Sequence, residues 1–180
     1  DKELAIKARM LELEFFRKMG VYEKVPRIMA KALGAKIITT RWVDTNKGDD
    51  MHPNIRARLV GREIKTDSRL DLFSAIPPLE SLKFIISKCA SNQNRKDPFV
   101  IMSNDVKRAY FYAPSKRPML IEFPEEDKVN GDEGYVGRLE LSLYGTRDAA
   151  QNWSAEYTTT LKKWGVTVGQ SSPCNFCHRE

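Results

Sequence analysis

Leu4, Ala8, Leu11, Phe15 and Met19 recur at helical spacing with charged residues between them, and Gly20 follows as a stop. That pattern predicts an amphipathic helix over residues 2–19. "RIMAKALGAK" (27–36) can hold a short helix. "AKIITTRWVDT" (35–45) is β-branched and reads as a strand, and "NKGDDMHPN" (46–54) as a turn-rich connection. "NIRARLVGREI" (54–64) then alternates: Ile55, Ala57 and Leu59 face one way, Arg56, Arg58 and Arg62 the other. Two strands about a polar turn make a hairpin with one apolar face and one row of arginines.

Residues 67–78 read as a loop or extended stretch, and Pro77–Pro78 suit a helix start. Leu79, Leu82, Ile86 and Cys89 continue that helix as an apolar stripe to about Ser91, before the loop "SNQNRKDP" (91–98). "FVIM" (99–102) reads as a short buried strand running into Asp105. "PMLIEF" (118–123) and "YVGRLEL" (135–141) are predicted strands of a second hairpin, joined by the acidic, turn-rich segment 124–134. Ala150, Trp153, Tyr157, Leu161 and Trp164 mark a further helix capped by Gly165, and "CNFCH" (174–178) starts another strand. Strands and helices interleave without a strict βαβ rhythm, so the predicted class is α+β.

Composition narrows the picture. The chain has 180 residues, 41% hydrophobic and 30% charged, which fits a globular protein. No apolar run approaches the roughly 20 residues a membrane span needs, so no membrane partner is expected. The first residues, "DKELAIKARM", are charged and helical in pattern rather than those of a signal peptide. They begin in mid-pattern without Met, and the chain is expected to be a piece of a longer one. The net charge of +6 is unevenly spread. Residues 1–120 carry 24 Lys and Arg against 14 Asp and Glu, whereas residues 121–140 carry 2 against 7. A basic N-terminal two-thirds suits a polyanion-binding surface, or simply a solvated lysine-rich one. Three cysteines without a secretion signal point to a reducing compartment.

Asp105 is the first candidate for chemistry. A carboxylate at a strand end is a good hard-cation ligand, Mg²⁺ in particular; alternatively it bonds its own backbone. "CNFCH" has the spacing of a haem attachment or half a zinc site, set against cysteines packed on a strand. His52 is the only other histidine, and strand cysteines are the preferred reading.

The succession "TTRWVDTNKGDD", "RARLVGRE", "DVKRAYFYAP", "LSLYGTRDAAQNW" and "SSPCNFCH" resembles, in this order, the reverse transcriptase of copia-type retrotransposons. The resemblance spans roughly residues 35–178. It implies a right-hand polymerase: the N-terminal helix and fingers over 1–98, and a partial palm over 99–180. It also implies template-directed deoxynucleotide addition by two-metal phosphoryl transfer with Mg²⁺, on an RNA or DNA template-primer with dNTPs. The remainder of the Pol polyprotein would be a partner. The setting would be intracellular: cytoplasmic virus-like particles, with the nucleus as a second compartment. Asp105 matches the first metal-binding acid, and Tyr110 the aromatic that rejects a 2′-hydroxyl. Arg56 and Arg58 match a segment over the triphosphate, with no indication of which is closer. Asp148 stands where the family has a nucleotide-contacting Gln, and Ala150 where it has Pro. An acid there would repel a triphosphate, so a degenerate, non-catalytic nucleic-acid-binding remnant is the alternative. The family's adjacent aspartates do not occur in these residues, and the 180-residue chain alone is expected to be inactive.

Overall fold

The structure is a computed structural model and describes residues 2–66, 72 and 74–178. In chain order it comprises α1 (Lys2–Met19), β1 (Tyr22–Pro26), α2 (Met29–Ala32), β2 (Ile37–Ile38), β3 (Thr40–Asn46) and β4 (Ile55–Gly61). There follow α3 (Leu79–Ala90), a 3-10 turn (Ala109–Tyr112), β5 (Leu120–Ile121), a second 3-10 turn (Glu125–Asp127) and β6 (Tyr135–Leu139). α4 (Ala149–Lys163), β7 (Val166–Val168) and β8 (Phe176–His178) complete it. This is the mixed composition that the α+β reading expects.

One sheet has the order β1-β6-β5-β2. β6 runs antiparallel to both neighbours, with Tyr22 opposite Leu139 and Leu120 opposite Arg138. β2 joins parallel to β5, Ile37 opposite Leu120. The β3–β4 hairpin is separate, with Val43 opposite Arg58 and Trp42 opposite Leu59. The stretch expected as one strand over 35–45 therefore breaks at Thr39: its first part pairs in the four-stranded sheet and its second in the hairpin. β1 escaped notice because "YEKVP" carries charges and a proline. Both are tolerated here because β1 is an edge strand, bonded on one side only.

The core gathers Phe16 and Val21, Ile38 of β2, Leu59 of β4, Phe111, Met119, Ile121, Leu139 and Leu143. The expected apolar stripes are not all part of this core: on α4 the buried residues are Ala149 and Asn152, while Trp164 is exposed. On α1 the buried residues are Glu12, Leu13 and Phe16, while Leu11 and Phe15 of the expected stripe are exposed. The helix is turned so that a carboxylate faces inward, which is possible because Arg108 meets it there. Arginines also tie the helix down, Arg9 to Asp44 and Glu126 and Arg17 to Asp127.

A second correction concerns residues 99–102. They form no strand, and all four side chains are exposed, Val100 to 87%. A strand needs a neighbour for its N–H and C=O groups, and among the described residues none lies alongside. Helix α3 forms where expected, with Pro78 before its first turn, yet none of its residues is buried. Leu79, Leu82, Phe84, Ile85 and Ile86 are all at least half exposed. The loop expected over 67–78 lies partly outside the described residues.

β4 ends where its backbone meets a later turn. Gly61 N–H donates to Tyr144 O at 2.7 Å, and Gly145 adopts φ +81 directly against Gly61. A Cβ on Gly145 would collide with the Gly61 carbonyl and the Val60 side chain. Gly145→Ala should therefore destabilise the fold by about 3 kcal/mol, the upper end for a residue forced into that backbone region. Gly131→Ala, also at positive φ (+95) but in open space, should cost less; urea melts of the two variants check the difference.

Candidate functional site

Alternation along β4 holds: Ala57, Leu59 and Gly61 are buried, while Arg56 and Arg58 take the other face. Neither arginine has a carboxylate partner among the described residues. Arg56 is exposed. Arg58 is half-buried and lays its guanidinium 5.7 Å from the centre of the Tyr144 ring. Its Nε is buried and has no hydrogen-bond partner, as is also true of Arg117 Nε, but Arg117 has carboxylates on its other nitrogens and Arg58 has none among the described residues. Tyr110, on the turn Ala109–Tyr112, packs against the same Tyr144 ring, with centroids 4.8 Å apart and the planes tilted by 49°. Arg58 and Tyr110, 52 positions apart in the sequence, are thus brought together by a residue that sequence reasoning passed over. The signal available was an aromatic immediately before Gly145. Burial raises the Tyr144 phenol above its ordinary range, although the two nearby arginines pull it the other way. The ring therefore stays neutral.

"AYFY" is spaced so that each ring has a different environment. Tyr110 meets Tyr144, Phe111 is buried against Phe16 at 4.8 Å, and Tyr112 points outward. Immediately before it, Arg108 has φ 54 and ψ 43, the one positive φ outside glycine among the described residues. Its Nε donates to Glu12 Oε2 at 2.8 Å, its Nη2 forms an ion pair with the same oxygen at 2.7 Å, and its guanidinium covers the Phe15 ring at 3.7 Å.

Asp105 lies three residues upstream, exposed, in a stretch without regular structure rather than at a strand end. Among the described residues no group of three or more His, Cys, Asp or Glu could hold a metal ion. Two Mg²⁺ ions require several converging carboxylates, and one exposed aspartate does not supply them. The residues present do not fit that cation pair. Cys174, Cys177 and His178 form no such group either, and the cysteines are free.

Asp148 does not face an open cleft, contrary to the expectation that it would confront a triphosphate. It is 5% exposed and precedes the first turn of α4. Its Oδ1 accepts from Arg117 Nη2 at 2.9 Å and its Oδ2 from Asn152 at 3.2 Å. Arg117 also forks onto Glu63, at 2.8 and 2.6 Å, and Glu63 accepts the Arg147 backbone N–H. This cluster joins the end of the β3–β4 hairpin, the entry to β5 and the start of α4. Burial alone would raise both carboxyls, but the Arg117 hydrogen bonds and charge outweigh it and hold both below the ordinary carboxylate range. Burial lowers Arg117 and the two acids more than restore it, so its guanidinium is held above its usual value.

A groove of about 710 Å³ is lined by Arg9, Arg41, Trp42, Glu122, Phe123 and Lys128, among others. Three of its lining residues are already engaged with one another, since Trp42 Nε1 and Arg9 both donate to Glu126. No described helix is long and apolar enough to cross a membrane.

A family model described as "Reverse transcriptase (RNA-dependent DNA polymerase)" matches residues 23–179. The chain is 26% identical over 184 residues to the "Retrovirus-related Pol polyprotein from transposon TNT 1-94" of Nicotiana tabacum, which covers 99% of this chain. The chain spans 13% of that relative's length. No solved structure matches.

The Arg117 cluster yields a prediction whose sign follows from the lowered carboxyls. Their contribution to stability is present above the ordinary carboxylate range, about pH 4, and is lost as pH falls through the still lower folded values. Arg117→Met should cost about 3 kcal/mol at neutral pH, because two buried acids lose their countercharge. In that variant burial raises both carboxyls and protonation relieves them. The stability gap between wild type and variant should therefore narrow from pH 7 to pH 3, as read by denaturant melts.

Proposed function

Because the chain belongs to the reverse transcriptase (RNA-dependent DNA polymerase) family, we propose that it contributes the fingers and the first part of the palm to a copia-type polymerase. Residues 1–98 carry the N-terminal helix and fingers, and residues 99–180 begin the palm. In the intact parent the activity is template-directed addition of deoxynucleotides to a primer, on an RNA or DNA template. The single observation that carries this reading is the Arg58–Tyr144–Tyr110 cluster. A cation with no carboxylate partner among the described residues and a buried, unsatisfied donor sits beside a pair of packed aromatic rings on the arginine face of the hairpin. An incoming triphosphate supplies the anionic oxygens that such a donor lacks, and a flat aromatic beside it supplies a wall for the sugar.

Each residue then has a role in binding rather than in bond-making. Arg58, with Arg56 on the same strand face, neutralises phosphate charge. Tyr110, braced by Tyr144, excludes a 2′-hydroxyl. Asp105 offers one carboxylate to a divalent cation, and the further acids such a cation needs come from elsewhere in the parent. The alternative of a degenerate remnant drew on the acid at position 148. That charge is already matched by Arg117 and is turned away from solvent, so it gives the remnant reading no support.

Binding to a poly(A)–oligo(dT) template-primer should weaken steeply with salt. Each of Arg56→Ala and Arg58→Ala should weaken dTTP binding by about tenfold, the loss expected for one hydrogen bond to a charged group. A flat salt response from the wild-type chain would count against the proposal. The 180-residue chain alone should give no primer extension above background. In the parent enzyme, Tyr110→Ala should raise ribonucleotide relative to deoxynucleotide incorporation by about tenfold or more.

A further inference from the structure

Arg108 occupies a backbone region that a residue with a Cβ enters only when its surroundings hold it there. The holding groups all come from α1, about 95 residues earlier in the chain. Glu12 is 3% exposed, accepts an N–H bond from Arg108 Nε and forms an ion pair with its Nη2. Phe15, one turn along the same face, receives the guanidinium on its ring. Burying a carboxylate is costly unless it is paired, and an apolar residue at position 12 would suit the core at lower cost. The pair is therefore better read as a fixture for geometry than as a source of stability.

What it fixes is the turn that carries the candidate nucleotide-binding residues. The Arg108 carbonyl accepts the Phe111 N–H at 2.9 Å, which starts the turn Ala109–Tyr112 and presents Tyr110 to Tyr144. On the other side, residues 99–107 are all exposed and belong to no strand or helix. Arg108 is the first anchored residue after that run. α1 is itself held at Arg9 and Arg17 by acids of β3 and of the turn Glu125–Asp127, so it can act as a rigid support. It also lies wholly before residue 23, where the family model begins to match.

We propose that Glu12 and Phe15 are positioning residues: by clamping Arg108 in its left-handed conformation, α1 sets the turn that presents Tyr110, and so controls deoxynucleoside triphosphate binding at the site. The link to nucleotide rests on the function proposed above; the clamp itself does not.

The test uses the 180-residue chain, with hydrogen exchange at the Phe111 amide and the affinity for dTTP at low ionic strength without added metal. Measurements are made well below the melting temperature of every variant. Glu12→Gln should speed Phe111 exchange by about tenfold, leave the β4 amides unchanged and weaken dTTP binding by about tenfold. Adding Arg108→Gly in that background should restore most of the dTTP affinity without restoring the melting temperature, because glycine enters the left-handed region unaided. A role in stability alone would give no such rescue. If Glu12→Gln does not fold, Phe15→Ala, at a partly exposed position, should shift both readouts in the same direction but less far. Unchanged Phe111 exchange overturns the clamp. Faster exchange with dTTP affinity equal to wild type overturns its role at the site and leaves the proposed function standing. A wild-type chain that protects Phe111 but binds no dTTP overturns the proposed function, and the nucleotide role of the clamp with it.

Discussion

The arrangement of the site depends on one close backbone approach. Gly61, the last residue of β4, bonds Tyr144, and the bare α-carbon of Gly145 lets the two segments touch. This contact sets the distance between the arginine face of the hairpin and the turn before α4. Tyr144 stands between them because its own carbonyl makes that bond. Its ring is then available to Arg58 on one side and Tyr110 on another. Glu63, two residues past the contact, reaches Arg117 and through it Asp148. The hydrogen bond and the ion cluster act on the same junction, one through backbone and one through charge.

The charge pattern of the sequence takes on a different meaning in three dimensions. The acidic stretch 121–140 is not a separate patch. Its carboxylates pair with basic residues of the first 30 positions: Glu126 with Arg9, Asp127 with Arg17, Asp132 with Lys24 and Glu122 with Arg27. Much of the positive charge of α1 and β1 is therefore spent within the fold. Arg56 and Arg58 on the hairpin are left without acidic partners among the described residues, so the basic surface is narrower than the count over residues 1–120 suggests.

Elements with a strong period and a local cap were legible in the sequence. α1, α3, α4 and the two hairpins lie close to where their patterns put them, because helical spacing and turn residues act over a few positions. Parts that depend on distant neighbours were not legible. Residues 99–102 look like a buried strand, but apolar content alone cannot provide a ladder partner. The inward face of α1 was misjudged because a buried Glu12 makes sense only beside Arg108, 96 positions away. Of the site residues, the face shared by Arg56 and Arg58 followed from alternation. The role of Tyr144 did not, since an aromatic before a glycine has no fixed direction until β4 is placed against it. Asp148 was misread for the same reason: Arg117 is not near it in sequence.

Arginines in this protein fall into two groups, and the contrast bears on function. Arg9, Arg17, Arg27, Arg108, Arg117 and Arg138 each donate to at least one carboxylate. Arg58 is as closely enclosed by its neighbours as several of these. Its Nε, like that of Arg117, is buried without an acceptor, but no carboxylate meets any of its other nitrogens among the described residues, and it has only a ring face. Leaving a charged donor unsatisfied costs about 1–3 kcal/mol or more. Stability alone would favour a nearby acid, as it has at Arg117, or replacement by an apolar residue of similar length. Neither substitution is compatible with accepting an anion at this position. An acid would occupy the guanidinium, and an apolar side chain would remove it. The unpaired state of Arg58 thus makes sense as the resting form of a group whose partner arrives from outside the fold.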